Sequence, residues 1–182
     1  MQKKFSQLYY FINEYNYSDL KNLDKNIHII YRNYKKNIDI STLISIKKFC
    51  KKKKLKLFVS NNIKLALKYK LNGVYIPAFN KQTNYIKYTI PNNFSIIGSA
   101  HNNEEILIKK KQGCELIFLS PIFKVKKTNH FLSITKFNLL TLNKKLNFIA
   151  LGGIKKKNLK NLNLLNITGF AGISFFQKKT AP

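Results

Sequence analysis

Residues 95–119 have the sequence SIIGSAHNNEEILIKKKQGCELIFL, which predicts a strand, a helix and a second strand in that order. The run Ser95 to Gly98 is short and apolar, as is typical of a buried strand. The asparagines and glutamates of 102–105 are typical of the first turn of a helix. Apolar residues and then lysines at 106–111 continue that helix, and the lysines suit its C-terminus. Because Leu116 to Leu119 then forms another strand, the stretch predicts one parallel βαβ unit.

The same alternation recurs along the chain, with a short apolar or aromatic run at intervals of roughly 20 residues. Eight such runs are predicted to be strands: Leu8 to Ile12, Ile27 to Tyr31, Leu55 to Val59, Gly73 to Ile76, Ser95 to Gly98, Leu116 to Leu119, Asn147 to Leu151 and Phe170 to Ser174. Helices are predicted after the capping residues Ser41 and Thr42, over Asn62 to Lys70 and over 102–111, and 154–164 is a further helical candidate.

Eight strand–helix units in one chain predict a compact (β/α)8 TIM barrel, an α/β fold in which parallel strands close on themselves. The chain is short for such a barrel, at 182 residues. Only a brief helix near Ser18 to Leu23 fits between the first two strands, and only Phe175 to Pro182 follow the eighth. We therefore expect a single barrel domain over 1–182, with shortened first and last helices. A doubly wound open sheet is the alternative fold.

The net charge is strongly positive, yet the composition is that of a folded domain. Lys and Arg number 34 against 7 Asp and Glu, a formal net charge of +27, while 45% of the residues are hydrophobic. That apolar content excludes a disordered basic tail. Arg32 is the only arginine, and the lysines are spread from Lys3 to Lys179. Proteins that grip nucleic-acid phosphates usually combine Arg with Lys on one face, so a specific nucleic-acid partner is the least favoured hypothesis.

Cysteine use and hydropathy indicate the compartment. Cys50 and Cys114 are far apart and lack the spacing of a zinc site or a disulfide framework. The apolar run that begins at Leu8 is interrupted at Asn13 and Glu14, before the length that a signal peptide or a membrane span requires. We therefore expect a cytoplasmic protein with no membrane partner.

In a (β/α)8 barrel the functional residues lie at the carboxyl ends of the strands, and in this chain those residues are polar and small. They include Asn13, Arg32, Ser60 to Asn62, Ser99 to His101, Ser120, Gly152, Gly153 and Ser174. Arg32 shares its strand parity with His28 and Ile30, so it points into the barrel if that face is internal. A guanidinium at a barrel mouth suits a diphosphate or a carboxylate; the alternative is an arginine at an exposed strand end.

Three further features each have a functional and a plain structural interpretation. Gly152 and Gly153 follow the seventh strand, where glycine lets backbone N–H groups approach a phosphate or merely supplies the positive φ of a tight turn. Taken alone, the pair favours the turn. His101 can move a proton near neutral pH, or it can bond locally at the start of a helix. Lysines 124, 126 and 127 can close over an anion, although lysine runs are usually solvated.

Four stretches give the sequence a resemblance to the thiamine phosphate synthase and thiazole tautomerase family. They are LFVSNNIKLAL at 57–67 followed by NGVY at 72–75, IIGSAHNNEE at 96–105, GCELIFLSPIFKVKK at 113–127, and IALGGI at 149–154 with GFAGIS at 169–174. The resemblance implies a barrel that binds a thiazole phosphate and, in the synthase, a hydroxymethylpyrimidine diphosphate with Mg²⁺. In that reaction diphosphate leaves the pyrimidine methylene carbon, and the thiazole nitrogen attacks this carbon.

The resemblance also implies roles for individual residues. Its motifs assign the thiazole phosphate to Gly153 and Ser174, and the diphosphate to Arg32, Ser99 and Lys127, with Gly152 a further candidate for substrate binding. His101 and Lys127 are the candidate catalytic residues, and small phosphorylated thiazole and pyrimidine molecules are the expected partners.

Two positions depart from the family pattern where the metal binds. Asn61 replaces the magnesium-binding aspartate of the family, and Asn80 replaces the acid that follows the fourth strand. The seven acidic residues all lie elsewhere: Glu14, Asp19, Asp24, Asp39, Glu104, Glu105 and Glu115. Because Mg²⁺ prefers carboxylate oxygens, the sequence predicts a degraded magnesium site, and Asn61 is expected to bind substrate and not a metal.

Three hypotheses follow for the function. The first is an enzyme of thiamine biosynthesis, either a synthase with a weakened metal site or a metal-independent tautomerase-like relative that uses His101. The second is a non-catalytic barrel that binds a phosphorylated thiazole. The third is a basic nucleic-acid-binding protein. An oligomer is compatible with all of them.

Overall fold

The computed structural model describes residues 5–33, 38–126 and 129–177, in which eight parallel strands form one closed barrel. The strands are β1 (Gln7–Ile12), β2 (Ile27–Tyr31), β3 (Leu57–Ser60), β4 (Gly73–Ile76), β5 (Ser95–Ala100), β6 (Leu116–Leu119), β7 (Asn147–Leu151) and β8 (Gly169–Gly172). They neighbour one another in chain order, and β8 pairs with β1 from Gln7↔Gly169 to Tyr10↔Gly172. The predicted (β/α)8 barrel is confirmed, because an open sheet would leave β1 and β8 apart.

Helices connect most of the strands. They are α1 (Tyr17–Leu20), α2 (Ile40–Lys53), α3 (Ile63–Lys68), α4 (Asn103–Lys111) and α5 (Ser133–Thr141), with 3₁₀ helices at Asn84–Lys87 and Lys156–Leu164. The first helix has only 4 residues, as predicted. After β8, residues 174–176 form a turn, and no helix follows in the chain described up to residue 177. No helix among the described residues is long and apolar enough to cross a membrane.

Aromatic side chains fill the inside of the barrel. Tyr9, Phe11, Phe58, Tyr75 and Phe118 belong to this inner core, and none is more than 4% exposed. The rings of Tyr9 and Phe118 meet edge to face at 4.9 Å between centroids, and those of Phe11 and Tyr75 at 5.1 Å. This geometry is favourable for aromatic pairs. Because the interior is filled, a ligand site has to lie outside it, and in such barrels it lies at the carboxyl-terminal mouth.

A second core lies between the barrel and the helices. Leu43, Ile46 and Phe49 of α2 pack into it, together with strand residues of the opposite parity such as Ile29 and Val59. Each strand therefore buries both of its faces, one inside the barrel and one under the helices. This double burial explains why the strands are apolar along their length and were easy to locate in the sequence.

The cap of α2 differs from the prediction. The helix begins at Ile40, and its N-cap is Asp39, whose carboxylate accepts the Ser41 backbone N–H at 2.9 Å. The hydroxyls of Ser41 and Thr42 also donate to this carboxylate, so they support the cap and do not form it. An ionised carboxylate accepts these bonds more strongly than a hydroxyl would.

Four strands, β1, β3, β5 and β8, also differ from their predicted bounds: β1 begins at Gln7, β5 extends to Ala100, β3 ends at Ser60 and β8 begins at Gly169. β3 begins at Leu57 and not at Leu55, because the Leu55 N–H donates to the Cys50 carbonyl at 2.9 Å and so belongs to the end of α2. β8 ends at Gly172, and Ser174 lies in the turn that follows it.

Candidate active site

Arg32 lies at the mouth of the barrel, directly after β2. Its neighbour of the same parity, Ile30, belongs to the inner core, so Arg32 continues the inner face, as the sequence predicted. The guanidinium carbon lies 5.5 Å from the centroid of the Phe11 ring, and Nε donates to Asn13 Oδ1 at 3.4 Å. The ring quadrupole favours a cation in this position. The only arginine of the chain is therefore held, half-buried, on top of the filled interior.

Two serines lie in the inner layer of the mouth. Ser99 on β5 is 5% exposed, and its Oγ accepts a 2.8 Å hydrogen bond from the Tyr75 hydroxyl, which leaves the Ser99 proton for another acceptor. Ser60 at the end of β3 is 3% exposed and is in register with Tyr75. Its Oγ has no hydrogen-bond partner among the described residues. A buried hydroxyl without a partner is costly. Ser60, which the sequence motifs did not single out, is therefore a candidate hydrogen-bond donor to a ligand.

Gly152 and Gly153 form a tight turn after β7. Their φ angles are +93° and +71°, in the left-handed region that favours glycine. A Cβ on Gly153 would lie 2.6 Å from the Phe123 carbonyl oxygen of the loop after β6. The Phe123 N–H donates to the Gly152 carbonyl at 3.2 Å, so the two loops pack directly together. The turn interpretation of this pair is confirmed, and its contact with a phosphate stays a prediction.

A cationic cleft, here called the lysine cleft, lies beside this turn. It is lined by Phe123, Lys124, Val125, Lys126, Gly153, Lys155, Lys157 and Asn158. Asn158 Nδ2 donates to the Gly153 carbonyl at 2.9 Å. This bond fixes the side of the cleft formed by residues 155–158 to the turn. None of these lining residues is acidic, so the cleft attracts anions. Lys127, a predicted ligand, follows Lys126 in the sequence and lies outside the described residues.

His101 bonds to its own helix start. Its backbone N–H donates to Glu105 Oε2 at 2.7 Å, and its ring Nδ1 lies 2.8 Å from the same oxygen. The Glu105 N–H in turn donates to Asn102 Oδ1 at 2.9 Å. The local interpretation of His101 is thus correct for Nδ1. A carboxylate on Nδ1 favours the tautomer in which Nε2 is the basic atom. The imidazole is about half exposed and can still exchange a proton through Nε2.

Two carboxamides meet at the ends of β3 and β4. Asn61 has a φ of +60°, and its N–H donates to the Tyr75 carbonyl at 2.8 Å. Asn61 Oδ1 accepts a hydrogen bond from Asn80 Nδ2, and Asn80 Nδ2 also contacts the Tyr85 hydroxyl at 2.7 Å. Asn80 Oδ1 in turn accepts the Gln82 N–H at 2.9 Å. The two asparagines that depart from the family pattern are therefore neighbours, joined by one hydrogen bond between their carboxamides.

Lys109 lies in the lysine run at the C-terminus of α4, as predicted, but the burial of its side chain was not predicted from the sequence. It is 0% exposed, and its Nζ donates to the carbonyls of Pro77 at 2.8 Å and Asn80 at 2.7 Å, and to Gln112 Oε1 at 2.9 Å. Burial lowers the pKa of Lys109 to about 8. The signal that could have found it is helical spacing, because Lys109 follows the buried Ile106 by one turn.

The remaining predicted residues are placed separately. Ser174 is exposed in the turn 174–176 after β8. Arg32, Ser99 and Gly153 each lie at the carboxyl end of a different strand, on β2, β5 and β7, so the barrel brings them to one mouth. Their contacts with substrate stay predictions.

The chain is similar to proteins of one family. A family model described as thiamine monophosphate synthase matches residues 27–176. The putative thiamine-phosphate synthase 2 of Aquifex aeolicus is 32% identical over 133 residues, which cover 72% of this chain and 71% of that protein. The thiamine-phosphate synthase of Prochlorococcus marinus subsp. pastoris is 29% identical over 153 residues, which cover 81% of this chain and 44% of that protein.

A solved structure supports the same barrel. The thiamine phosphate pyrophosphorylase of Pyrococcus furiosus superposes with a TM-score of 0.72 at 19% identity, over 93% of this chain and 86% of that one. At this identity the likeness concerns the fold.

Proposed function

The chain belongs to the thiamine monophosphate synthase family, and from this membership we propose that it acts in thiamine biosynthesis as a transferase of the synthase type. Its substrates would be a hydroxymethylpyrimidine diphosphate and a thiazole phosphate. The observation that carries the proposal is Arg32, held over Phe11 at the mouth of a filled barrel. A guanidinium so placed can bind a diphosphate through two parallel hydrogen bonds.

The two phosphorylated groups are assigned to different loops. Arg32 and Ser99 bind the diphosphate, with Lys127 as a further ligand. The Gly152–Gly153 turn offers backbone N–H groups to the thiazole phosphate, with Ser174 beside it. The lysine cleft next to this turn supports the assignment, because its charge raises the local concentration of both polyanions.

The chemistry asked of these residues is mainly electrostatic. The bond between the pyrimidine methylene carbon and the diphosphate oxygen breaks, and its electron pair leaves with the diphosphate. The thiazole nitrogen then forms the new bond to this carbon and becomes positively charged. Cationic and N–H groups fixed at the leaving group stabilise the charge that develops there. Arg32 and Lys127 serve that role, and the Ser99 hydroxyl donates a hydrogen bond to the same leaving group.

Magnesium is implied by the family, but the residues at the expected position do not fit it. Mg²⁺ binds through carboxylates together with substrate phosphates. Asn61 and Asn80 are neutral and are hydrogen-bonded to each other. Among the described residues, which include all seven carboxylates, no three His, Cys, Asp or Glu side chains lie close enough to share an ion. The roles given above therefore use only the side chains and backbone of the chain.

A second candidate function is proton transfer of the tautomerase type. The observation that favours it is the contact of 2.8 Å between His101 Nδ1 and Glu105 Oε2. A carboxylate in this position orients the ring and favours the tautomer whose Nε2 carries no proton, as a general base requires. This activity would use the same thiazole phosphate site and no diphosphate.

The decisive experiment is formation of thiamine phosphate from the two substrates, measured with Mg²⁺ and with a chelator. We expect turnover in wild type, and a loss of roughly 10²-fold or more in kcat/KM for Arg32→Ala, since one charged hydrogen-bonding group at a developing charge is removed. Lys64→Ala, an exposed lysine of α3, is the control and should keep wild-type activity.

Three results would change the proposal. Tautomerisation of a thiazole phosphate that disappears in His101→Gln, without synthase turnover, would favour the second candidate. Tight calorimetric binding of thiazole phosphate without either reaction would identify a non-catalytic binding barrel. Absence of binding of both substrates would refute the family-based assignment.

A further inference from the structure

The loop after β4, residues 77–82, is hydrogen-bonded to the buried ammonium group of Lys109. Lys109 Nζ has three acceptors: the carbonyls of Pro77 and Asn80 and the side chain of Gln112. Gln112 is also buried, and its Nε2 donates to the carbonyls of Asn80 at 2.9 Å and Gln82 at 2.7 Å. An ammonium group has three hydrogens, so this set satisfies it completely without a carboxylate.

The stem of Lys109 is built into the barrel wall. A Cβ added to Gly98 on β5 would lie 2.8 Å from Lys109 Cδ and 2.9 Å from Cys114 Sγ. A larger residue at Gly98 would therefore displace the lysine stem. The charge of Lys109 is consequently fixed at one point between β4, β5 and α4, in contrast to the mobile charges of surface lysines.

This fixed charge lies at the loop where a magnesium site would need negative charge. The loop carries Asn80, whose carboxamide faces Asn61, and both amide oxygens already accept hydrogen bonds. Glu105, one turn before Lys109 on α4, is occupied by His101. A divalent cation here would find neutral oxygens and would be repelled by Lys109, whereas an anion would be attracted, because a buried charge is screened less than a surface charge.

We propose that the buried ammonium of Lys109 takes over the charge-neutralising role of a divalent metal at this end of the barrel, so that the chain binds a diphosphate without Mg²⁺. The inference rests on the proposed function, because it concerns the diphosphate of the same site. Lys109 acts as a positioning residue: it does not touch the ligand, and it holds the 77–82 loop and the positive charge in place. Ser60, whose buried hydroxyl lacks a partner among the described residues, offers a neutral donor on the adjoining strand end.

The first test is calorimetric titration of wild type with inorganic pyrophosphate, in EDTA and in excess MgCl₂. We expect pyrophosphate to bind in EDTA, with a Kd at most about three times that measured in MgCl₂. Arg32→Ala should weaken this binding by about tenfold or more, which identifies the site. Saturable binding of Mn²⁺, followed by electron paramagnetic resonance, should be absent from wild type. It should appear in the triple variant Asn61→Asp, Asn80→Asp, Lys109→Met, which restores two carboxylates and removes the opposing charge.

The second test isolates Lys109. Lys109→Met keeps the stem and removes the charge, and it should weaken pyrophosphate binding about 3- to 10-fold. Lys110→Met removes the same formal charge from the exposed face of α4 and should leave the affinity unchanged. Circular dichroism and thermal melting establish that both variants fold.

The pH profile distinguishes charge from mere packing and needs only wild type if Lys109→Met fails to fold. Because burial lowers the pKa of Lys109 to about 8, the affinity should fall as pH rises through this value, although pyrophosphate itself becomes more negative. The titratable groups that face the ammonium are Glu105 on α4, Tyr85 through Asn80, and Cys114 before β6. Burial raises the pKa of Tyr85, and it raises that of Cys114 to about 12, so both stay neutral through the transition.

The outcomes separate the inference from the proposed function. Pyrophosphate binding that requires Mg²⁺ in wild type, together with magnesium-dependent synthase turnover, would overturn the role of Lys109 and leave the proposed function intact. Equal effects of Lys109→Met and Lys110→Met would also overturn it. Absence of pyrophosphate and thiazole phosphate binding under both conditions would overturn both.

Discussion

His28 lies on the inner face of β2, at the amino end of the barrel. Its ring meets the Tyr9 ring edge to face at 5.3 Å between centroids, and its Nδ1 is buried without a hydrogen-bond partner among the described residues. Burial, and secondarily the charge of Lys56, lowers the pKa of His28 to about 4. The imidazole is therefore neutral in the folded protein over most of the acidic range, in contrast to an exposed histidine.

This environment predicts an acid sensitivity that belongs to one residue. Below its unfolded pKa of about 6.5 the unfolded chain binds a proton that folded His28 does not, so stability falls as pH drops from about 6.5 toward 4. Because His28 is partly exposed, we expect a loss of about 1–2 kcal/mol between pH 7.5 and pH 5. Urea unfolding of wild type and His28→Gln at the two pH values measures it. The variant should lose less by that amount. An identical pH dependence in wild type and His28→Gln would contradict the prediction.

At the scale of elements, the turn after β7 shows how closely the barrel loops are packed. Gly153 combines a φ of +71° with backbone oxygens of Phe123 and Lys124 at 2.6 and 2.8 Å from a would-be Cβ. Gly113, between α4 and β6, has a similar φ of +80°, but the nearest atom to its would-be Cβ is 3.8 Å away. The two glycines therefore share a backbone conformation and differ in the space around them.

Alanine at these two positions separates conformational cost from steric cost. Gly113→Ala should lower the free energy of unfolding by about 1 kcal/mol, the cost of a left-handed alanine. Gly153→Ala should lower it by about 2–4 kcal/mol, because carbonyl oxygens of a packed loop must also move. Urea unfolding of both variants provides the measurement. Equal losses would mean that the loops after β6 and β7 yield easily.

The elements that the sequence predicted well are those whose signal is burial. Four strands, such as β2 over Ile27–Tyr31, have the predicted bounds because both of their faces are apolar. The cap of α2 was misplaced because Ser41, Thr42 and Asp39 are all capping residues, and only the geometry shows that the carboxylate accepts the bonds. Residues 154–164 were a helical candidate, and Lys156–Leu164 form a 3₁₀ helix.

The candidate site was predictable where it follows from strand ends and not where it depends on packing between elements. Arg32 followed from alternation along β2, because the inner face of a barrel is fixed by strand parity. The Asn61–Asn80 pair and the burial of Lys109 depend on how the 77–82 loop folds back onto α4. With 33 lysines in the chain, composition gave no sign that Lys109, alone among the lysines that the structure describes, is buried.

At the scale of the whole molecule, the net charge is the dominant property. The formal charge is +27. Among the described residues, Glu105 is the only carboxylate that lies within 4 Å of a basic side chain, which is that of His101. The lysines therefore have few attractive partners and repel one another across the surface. Such repulsion acts on the compact state more than on the expanded unfolded chain, so it lowers stability.

Salt should consequently stabilise this protein. The screening length falls to about 10 Å at 0.1 M salt, so repulsion between separate lysines weakens while the buried contacts of the barrel remain. We expect the free energy of unfolding to rise by about 1–3 kcal/mol between low salt and 0.3 M NaCl. Urea is the suitable denaturant because, unlike guanidinium chloride, it adds no ions. Lys48→Glu, on the exposed face of α2, should be more stable than wild type at low salt, and the difference should shrink as salt is added. Arg32→Ala should show the wild-type salt response, because dispersed repulsion does not depend on one site. A rise in stability that is lost in Arg32→Ala would instead indicate an anion bound at the mouth, and a fall in stability with salt would mean that attractive pairs outweigh the excess of lysines.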